Sequence, residues 1–202
     1  MMQEFERHFS RIQASILASQ YDSRVQDICK CENGPAVYQC TKCFQSEPSC
    51  STCMLQSHCP LPFHRIERWN GSYFDKTTLD TLGHTLFLGH SGLRCPNSNL
   101  SSRGWPLVVV HTNGIHRVHT QFCHCINHRE DPYQLLAASL FPATMDHPET
   151  VFTFAVLKEF HAHMLASKKS AYDYFIALRH LTNGAFPDHS PVGIMLICAI
   201  HY

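Results

Sequence analysis

The segment from Cys29 to His64 constrains this chain more than any other. It reads Cys-Lys-Cys, eight residues, Cys-Thr-Lys-Cys, six residues, Cys-Ser-Thr-Cys, four residues, His58, five residues, His64. Eight ligand-type side chains in four pairs are what two tetrahedral metal ions require. Short Cys-x-Cys and Cys-x-x-Cys spacings let two thiolates from one tight turn reach one ion. A segment this short buries little apolar surface, so metal must supply its stability. Structural zinc is worth about 10–16 kcal/mol per site in small fingers. The alternative is a disulfide framework, which needs an oxidising compartment. The first residues carry no basic stretch followed by an apolar one, so the sequence predicts no signal peptide and zinc is the expected occupant.

Interleaved wiring is expected, with Cys29, Cys31, Cys50 and Cys53 on one ion and Cys40, Cys43, His58 and His64 on the other. This arrangement resembles the cross-brace of B-box and related zinc fingers. Sequential wiring stays open, because spacing does not settle pairing. Cys59 adjoins His58 as an alternative ligand or a spare thiol.

Composition narrows the partner classes. The 202 residues include 11 Cys and 16 His, against 16 Lys plus Arg and a formal net charge of zero. Such a balance points to metal sites and gives no strong electrostatic footprint for nucleic acid. No apolar run approaches the ~20 residues of a membrane span, and no pattern points to a small-molecule substrate.

Along the chain, residues 4–28 predict an amphipathic helix with Phe5, Phe9, Ile12, Ile16 and Leu17 on one face, packed against the zinc module. Val37-Tyr38-Gln39 predicts a short strand, Asn70-Gly71 a turn, and Ile66 and Trp69 core positions. Downstream, Leu107–Val110 and Ile115–Phe122 read as strands joined at Asn113-Gly114, a strong hairpin signal. A two-residue turn there pairs Thr112 with Ile115 and His111 with His116. The hairpin returns Cys123 and Cys125 beside Cys95, with His90 as the fourth ligand of a third metal site and His116 as its substitute. A metal-free hairpin is the alternative. Residues 129–148, broken by three prolines, predict linker and turns with a short helix over 133–140. From Thr150 the pattern is helical, with Phe154, Leu157, Phe160 and Leu165 on one face. A second helix starts at a capping box, Ser170–Asp173, and ends at Asn183-Gly184.

His64-Arg-Ile-Glu-Arg-Trp-Asn-Gly71, Leu88-Gly89-His90, Cys95-Pro96, Asn113-Gly-Ile-His116 and Phe122-Cys-His-Cys125 together resemble the cysteine-cluster domain found with fungal KDZ transposases. Phe141-Pro-Ala-Thr144, Phe152-Thr-Phe154 and Ser170-Ala-Tyr-Asp173 extend the likeness, which covers roughly residues 25–188. The resemblance implies a histidine where this chain has Leu61 and an acidic residue where it has His111, the latter orienting His116. It also implies a nuclear, intracellular protein of a mobile element. A full KDZ transposase carries a separate domain of clustered carboxylates on two divalent metals. Here the aspartates are scattered and a non-catalytic, N-terminal fragment is expected.

The expected architecture is α+β, small and zinc-stabilised. It comprises an N-terminal helix (1–28), a cross-brace module (29–70), a β-hairpin region (71–128), a helical segment (129–188) and an atypical apolar tail (189–202). Two function classes follow. One is DNA recognition through Arg65, Arg68, Arg94, Arg103 and Arg117, with steep salt dependence. The other is a protein-interaction module like a B-box. A degenerate element's fragment without function is a third possibility.

Overall fold

The structure, a computed structural model, describes residues 2–20, 22–99, 102–126, 128–184 and 186. The expected tail at 189–202 lies outside them. The chain is α+β and divides into two compact units, Met1–Leu82 and Gly83–Tyr202.

The first unit opens with helix α1 (Met2–Ala18). The helix ends ten residues before the expected limit of 28, because Ser19 and Gln20, and then residues 23–26, form turns, with Gln26 at φ +76. Its apolar face does not pack on the metal-ligand module: Phe5 is 63% exposed, Phe9 65% and Ile16 56%. Beyond it come β1 (Tyr38–Cys40), α2 (Ser51–His58), β2 (Ile66–Trp69) and β3 (Phe74–Thr77). The three strands form an antiparallel sheet in the order β1-β2-β3. Asn70 shapes the β2–β3 turn, its Oδ1 accepting from the backbone N–H of Ser72 and Tyr73 at 2.9 and 3.0 Å. Ile66 is buried with Cys40, Met54 and Leu79, while Trp69 is half-buried and meets Phe74 edge-on. The apolar content of this unit is slight, and the other small buried cluster is Cys29, Ala36 and Cys50.

The second unit is built on a five-stranded mixed sheet, β4-β6-β5-β8-β7. Its strands are β4 (Thr85–Phe87), β5 (Trp105–His111), β6 (Gly114–Gln121), β7 (Leu140–Pro142) and β8 (Thr150–Thr153). The run Leu107–Val110 occupies the centre, where Leu107, Val109 and Val110 are all buried, as a strand covered on both faces must be. Helices α3 (Asp131–Ala137), α4 (Phe154–Ser167) and α5 (Ala171–Thr182) complete the unit. Val110, Phe152, Val156, Phe160, Tyr174 and Leu178 form its main core.

Three expectations need correction here. The hairpin pairs Val110 with Ile115 and His111 with Gly114, two residues out of the expected register. Thr112 and Asn113 both keep negative φ, so the turn is not the type that puts two positive φ values at its centre. Gly114 takes φ +121 instead and starts the strand. A shift of two keeps every side chain on its face, but sets Val109 instead of His111 opposite His116. Second, residues 129–148 are more than a linker with a short helix: that helix is present as α3, and β7 adds a strand that pairs with β8. Third, Thr150–Thr153 is a strand, with α4 starting at Phe154. Thr153 caps that helix, its Oγ1 accepting from the Val156 N–H at 3.2 Å. Ser170 caps α5 likewise, accepting from the Asp173 N–H at 3.1 Å. Its other end differs from the expected glycine cap, since Asn183 is extended at φ −145, ψ 99.

Candidate metal centres

Two four-residue clusters lie in the first unit. Cys29, Cys31, Cys50 and Cys53 make one, and Cys40, Cys43, His58 and His64 the other; in each, one ligand atom per residue lies within 4.8 Å of all the others. The clusters alternate along the chain, first pair with third and second with fourth.

Local backbone explains each pair. Cys29 and Cys31 sit in a tight loop closed by Cys29 N–H to Gly34 O at 2.9 Å and Glu32 N–H to Cys29 O at 2.7 Å. Cys40 ends β1, and the chain then folds so that the N–H groups of Lys42 and Cys43 both point at the Cys40 Sγ, 3.4 Å away. Cys50 is the N-cap of α2, Cys53 lies in its first turn and His58 is its last residue. At about 1.5 Å per residue, Cys53 and His58 stand about 7.5 Å apart along the axis. One rigid helix thus delivers ligands to both clusters, a helix that sequence spacing alone did not reveal. His58 Nδ1 lies 3.0 Å from Met54 O. Donation there leaves Nε2 as the lone pair facing the cluster, 3.5 Å from Cys43 Sγ. His64 presents Nδ1 at 3.5 Å from Cys40 Sγ and 3.4 Å from Cys43 Sγ. Cys59, exposed, and Leu61 stand outside the cluster.

The third cluster is His90, Cys95, Cys123 and Cys125, in the second unit. Its geometry follows from the parallel pairing of β4 with β6, which sets Phe87 opposite Gln121. Both strands run out at the same end of the sheet, and Leu88 N–H extends the ladder to Gln121 O at 2.9 Å. His90, three residues past Phe87, therefore meets Cys123, two past Gln121. Cys95 follows in the β4–β5 loop. His90 Nε2 lies 3.3 Å from Cys123 Sγ and 3.4 Å from Cys125 Sγ, and Cys95 Sγ lies 3.9 and 3.7 Å from those two sulfurs.

His90 reaches this position through unusual backbone. Gly89, His90, Ser91 and Gly92 all have positive φ, at 81, 44, 55 and 83. Positive φ strains a residue with a Cβ by about 1–2 kcal/mol, so His90 and Ser91 are held there by something outside the turn. Gly89 is required twice over, since a Cβ on it would stand 3.0 Å from the Cys123 Cβ. Gln134 is a further residue that sequence reasoning missed. It is buried on α3, its Oε1 accepts from the Cys123 N–H at 2.7 Å, and its Nε2 donates to Cys123 O at 3.1 Å and Arg129 O at 2.7 Å. The side-chain amide stands in for a neighbouring strand, and no sequence pattern marks it. Asn97 Nδ2 donates to Cys125 Sγ at 3.6 Å.

His116 is not in this cluster. It is buried on β6 with Nε2 2.6 Å from Asn113 Oδ1. His111 has no cluster to serve there, and its Nδ1 contacts Thr153 Oγ1 at 2.9 Å. His128 Nδ1 lies 2.8 Å from Cys125 O.

The distances suit a tetrahedral ion. With metal–sulfur bonds of about 2.3 Å and metal–nitrogen bonds of about 2.0–2.1 Å, tetrahedral edges come to roughly 3.8 Å between sulfurs and roughly 3.5 Å from sulfur to nitrogen. The described cysteines form no disulfides, and Cys31 Sγ to Cys50 Sγ measures 3.4 Å. Thiol acidity is split within the clusters. Backbone N–H groups of Cys31 and Cys50 hold Cys29 down at about 6, while the neighbouring thiols of Cys31, Cys50 and Cys29 push Cys53 up to about 12. In the third cluster the His124 N–H brings Cys95 down to about 6, and Cys95 and Cys123 push Cys125 up to about 11. A divalent ion would favour the charged, ligating form of every thiol in a cluster. Burial, with His58 and Lys42 nearby, lowers His64 and favours its neutral, ligating form.

A protein-family model, the CxC2-like cysteine cluster associated with KDZ transposases, matches residues 79–185, just over half of the chain. The chain belongs to this CxC2-like family. Comparison with curated proteins gives no match, and comparison with solved structures gives none either. The CxC2 match takes in the third cluster and none of the ligands of the first two, so it is narrower than the resemblance read over 25–188. CxC2 is a cysteine cluster domain rather than a catalytic one.

The arginines are dispersed. In the first unit Arg68 is exposed and Arg65 half-buried, and burial lowers the pKa of Arg65 below its usual range. In the second unit Arg103 and Arg117 are exposed, whereas Arg94 donates to Ser98 Oγ and Asn99 O and lies over the Phe87 ring. Among the described residues no helix is long and apolar enough to cross a membrane.

Proposed function

We propose that the CxC2 chain is a non-catalytic accessory region of a KDZ-type transposase assembly, held together by three structural zinc ions and acting in the nucleus at DNA. The carrying observation is that all three clusters offer four Cys or His ligands at tetrahedral spacing, with no position left over for substrate. A catalytic zinc keeps one such position open. Cysteine-dominated donor sets favour zinc over magnesium or calcium, which take oxygen. The first two ions would be wired as in a B-box cross-brace, and the third would clip the ends of β4 and β6.

DNA contact is supported by exposed Arg68, Arg103 and Arg117 and by the transposase association of the family. Two measurements test the proposal. Native mass spectrometry of the reduced chain should find three zinc ions, and none without disulfides would sink the zinc reading. A mobility shift with non-specific duplex should show binding at low salt that falls steeply as salt rises. No binding at low salt would remove the DNA reading and leave the second one, a protein-interaction module. That second reading is favoured by the exposed apolar face of α1.

A further inference from the structure

The apolar residues of α1 are spaced for a partner helix. Phe5, Phe9, Ile12 and Ile16 are separated by four, three and four residues, the alternation of a coiled-coil seam, with Phe9 and Ile16 at a and Phe5 and Ile12 at d. All four are exposed and stack on one side of a 17-residue helix. Two such seams facing each other would bury on the order of 1,000 Å² in total, at the lower bound of specific interfaces.

The flanks of the seam identify the occupant. The e and g positions are Glu6, Gln13, His8 and Ser15, which carry one formal charge among them. Charges there normally select a different partner or exclude a like one. Arg7 and Arg11 fall on the far side of the helix. A second copy of the same helix thus meets no like-charge contact, in a closed two-fold arrangement. We infer that α1 is a self-association helix and that the chain forms a weak dimer through Phe5, Phe9, Ile12 and Ile16. The inference rests on α1 alone and does not depend on metal or DNA.

The test is light scattering of the full, zinc-loaded chain over roughly 5–500 μM, the range in which an interface of this size associates. The expected result is a rise towards twice the chain mass. Ile12→Glu should return it to a monomer across that range, while Arg7→Glu, on the far face, should leave the dimer in place. Both variants should keep the metal content and sheet amide protection of the parent, which separates loss of the seam from loss of the fold. A parent chain that stays monomeric at the highest concentration overturns the inference and leaves the helix to a different protein. A dimer that survives Ile12→Glu overturns it as well.

Discussion

In the first unit four of the nine buried residues among those described are ligands, Cys29, Cys40, Cys50 and His58, beside Val25, Ala36, Met54, Ile66 and Leu79. In the second, Val110, Phe152, Val156, Phe160, Tyr174 and Leu178 fill a continuous core, and only Cys95 of the four ligands is buried. One unit uses metal ligands where a core would be, and the other adds a metal clip to a core it already has. The difference also shows in backbone strain. His58 reaches its cluster from the regular end of α2, whereas His90 needs two left-handed residues to reach its own. A site can be placed by the fold or can hold the fold in place, and this chain contains both.

Removing metal is the strongest way to break the comparison. With about 10–16 kcal/mol per structural zinc, a chelator should abolish amide protection in β1 and β2 while β5 and β6 keep theirs. Hydrogen exchange reads both in one experiment; equal loss would show that the second unit also depends on metal. Single ligands should repeat the contrast on a smaller scale. Cys40→Ser should unfold the first unit at 37 °C, whereas Cys123→Ser should cost the third ion and loosen only the Leu88–Asn97 loop, as followed by the same exchange pattern.

Phe160→Ala approaches the comparison from the other side. It should destabilise the second unit by about 3–5 kcal/mol in a denaturant titration and leave the zinc count at three. Gln134→Leu should be milder, weakening metal at the third centre about 10–100-fold without touching the other two. Cobalt substitution, read by its absorption bands, distinguishes the centres in variants lacking one set.

The smallest effect is on protons. Cys29 and Cys95 sit at about 6, below the ordinary thiol, and so favour the metal-free fold above the unfolded thiol range, a contribution lost as pH falls through 6. Cys53 at about 12 and Cys125 at about 11 are raised; each favours the fold below the unfolded value and loses that as pH rises through its own. At pH 7 zinc should therefore expel at least the Cys53 and Cys125 protons, and release should fade as pH nears 11–12. An indicator dye in weak buffer measures it.

The ligand inventory was legible because metal pairs are local: Cys29, Cys31, Cys40 and Cys43 announce themselves within three residues of a partner. His90 was the expected fourth ligand and the cluster contains it, but what brings it there, β4 lying parallel to β6 with partners 34 residues apart, has no local signature. The hairpin register slipped by two because Asn-Gly was assigned the centre of the turn, while Gly114 serves at its exit. Strand β8 was absorbed into the following helix, four residues being too few to show alternation before Thr153 caps α4. The apolar stripe of α1 is plain in the sequence, but periodicity does not distinguish an internal partner from an external one.

Helix α2 has a consequence for how metal is gained and lost. Cys50 and Cys53 tie its first turn to one cluster and His58 ties its last residue to the other. An eight-residue helix is too short to persist unsupported, so an ion at either end orders the ligand at the opposite end. The two ions are then coupled, and by linkage each raises the other's affinity by the same factor. A chelator series should pass from chains holding both ions to chains holding neither, with the singly loaded species scarce throughout. The first unit would behave as a zinc-dependent switch with a sharp threshold, even though neither centre meets the other.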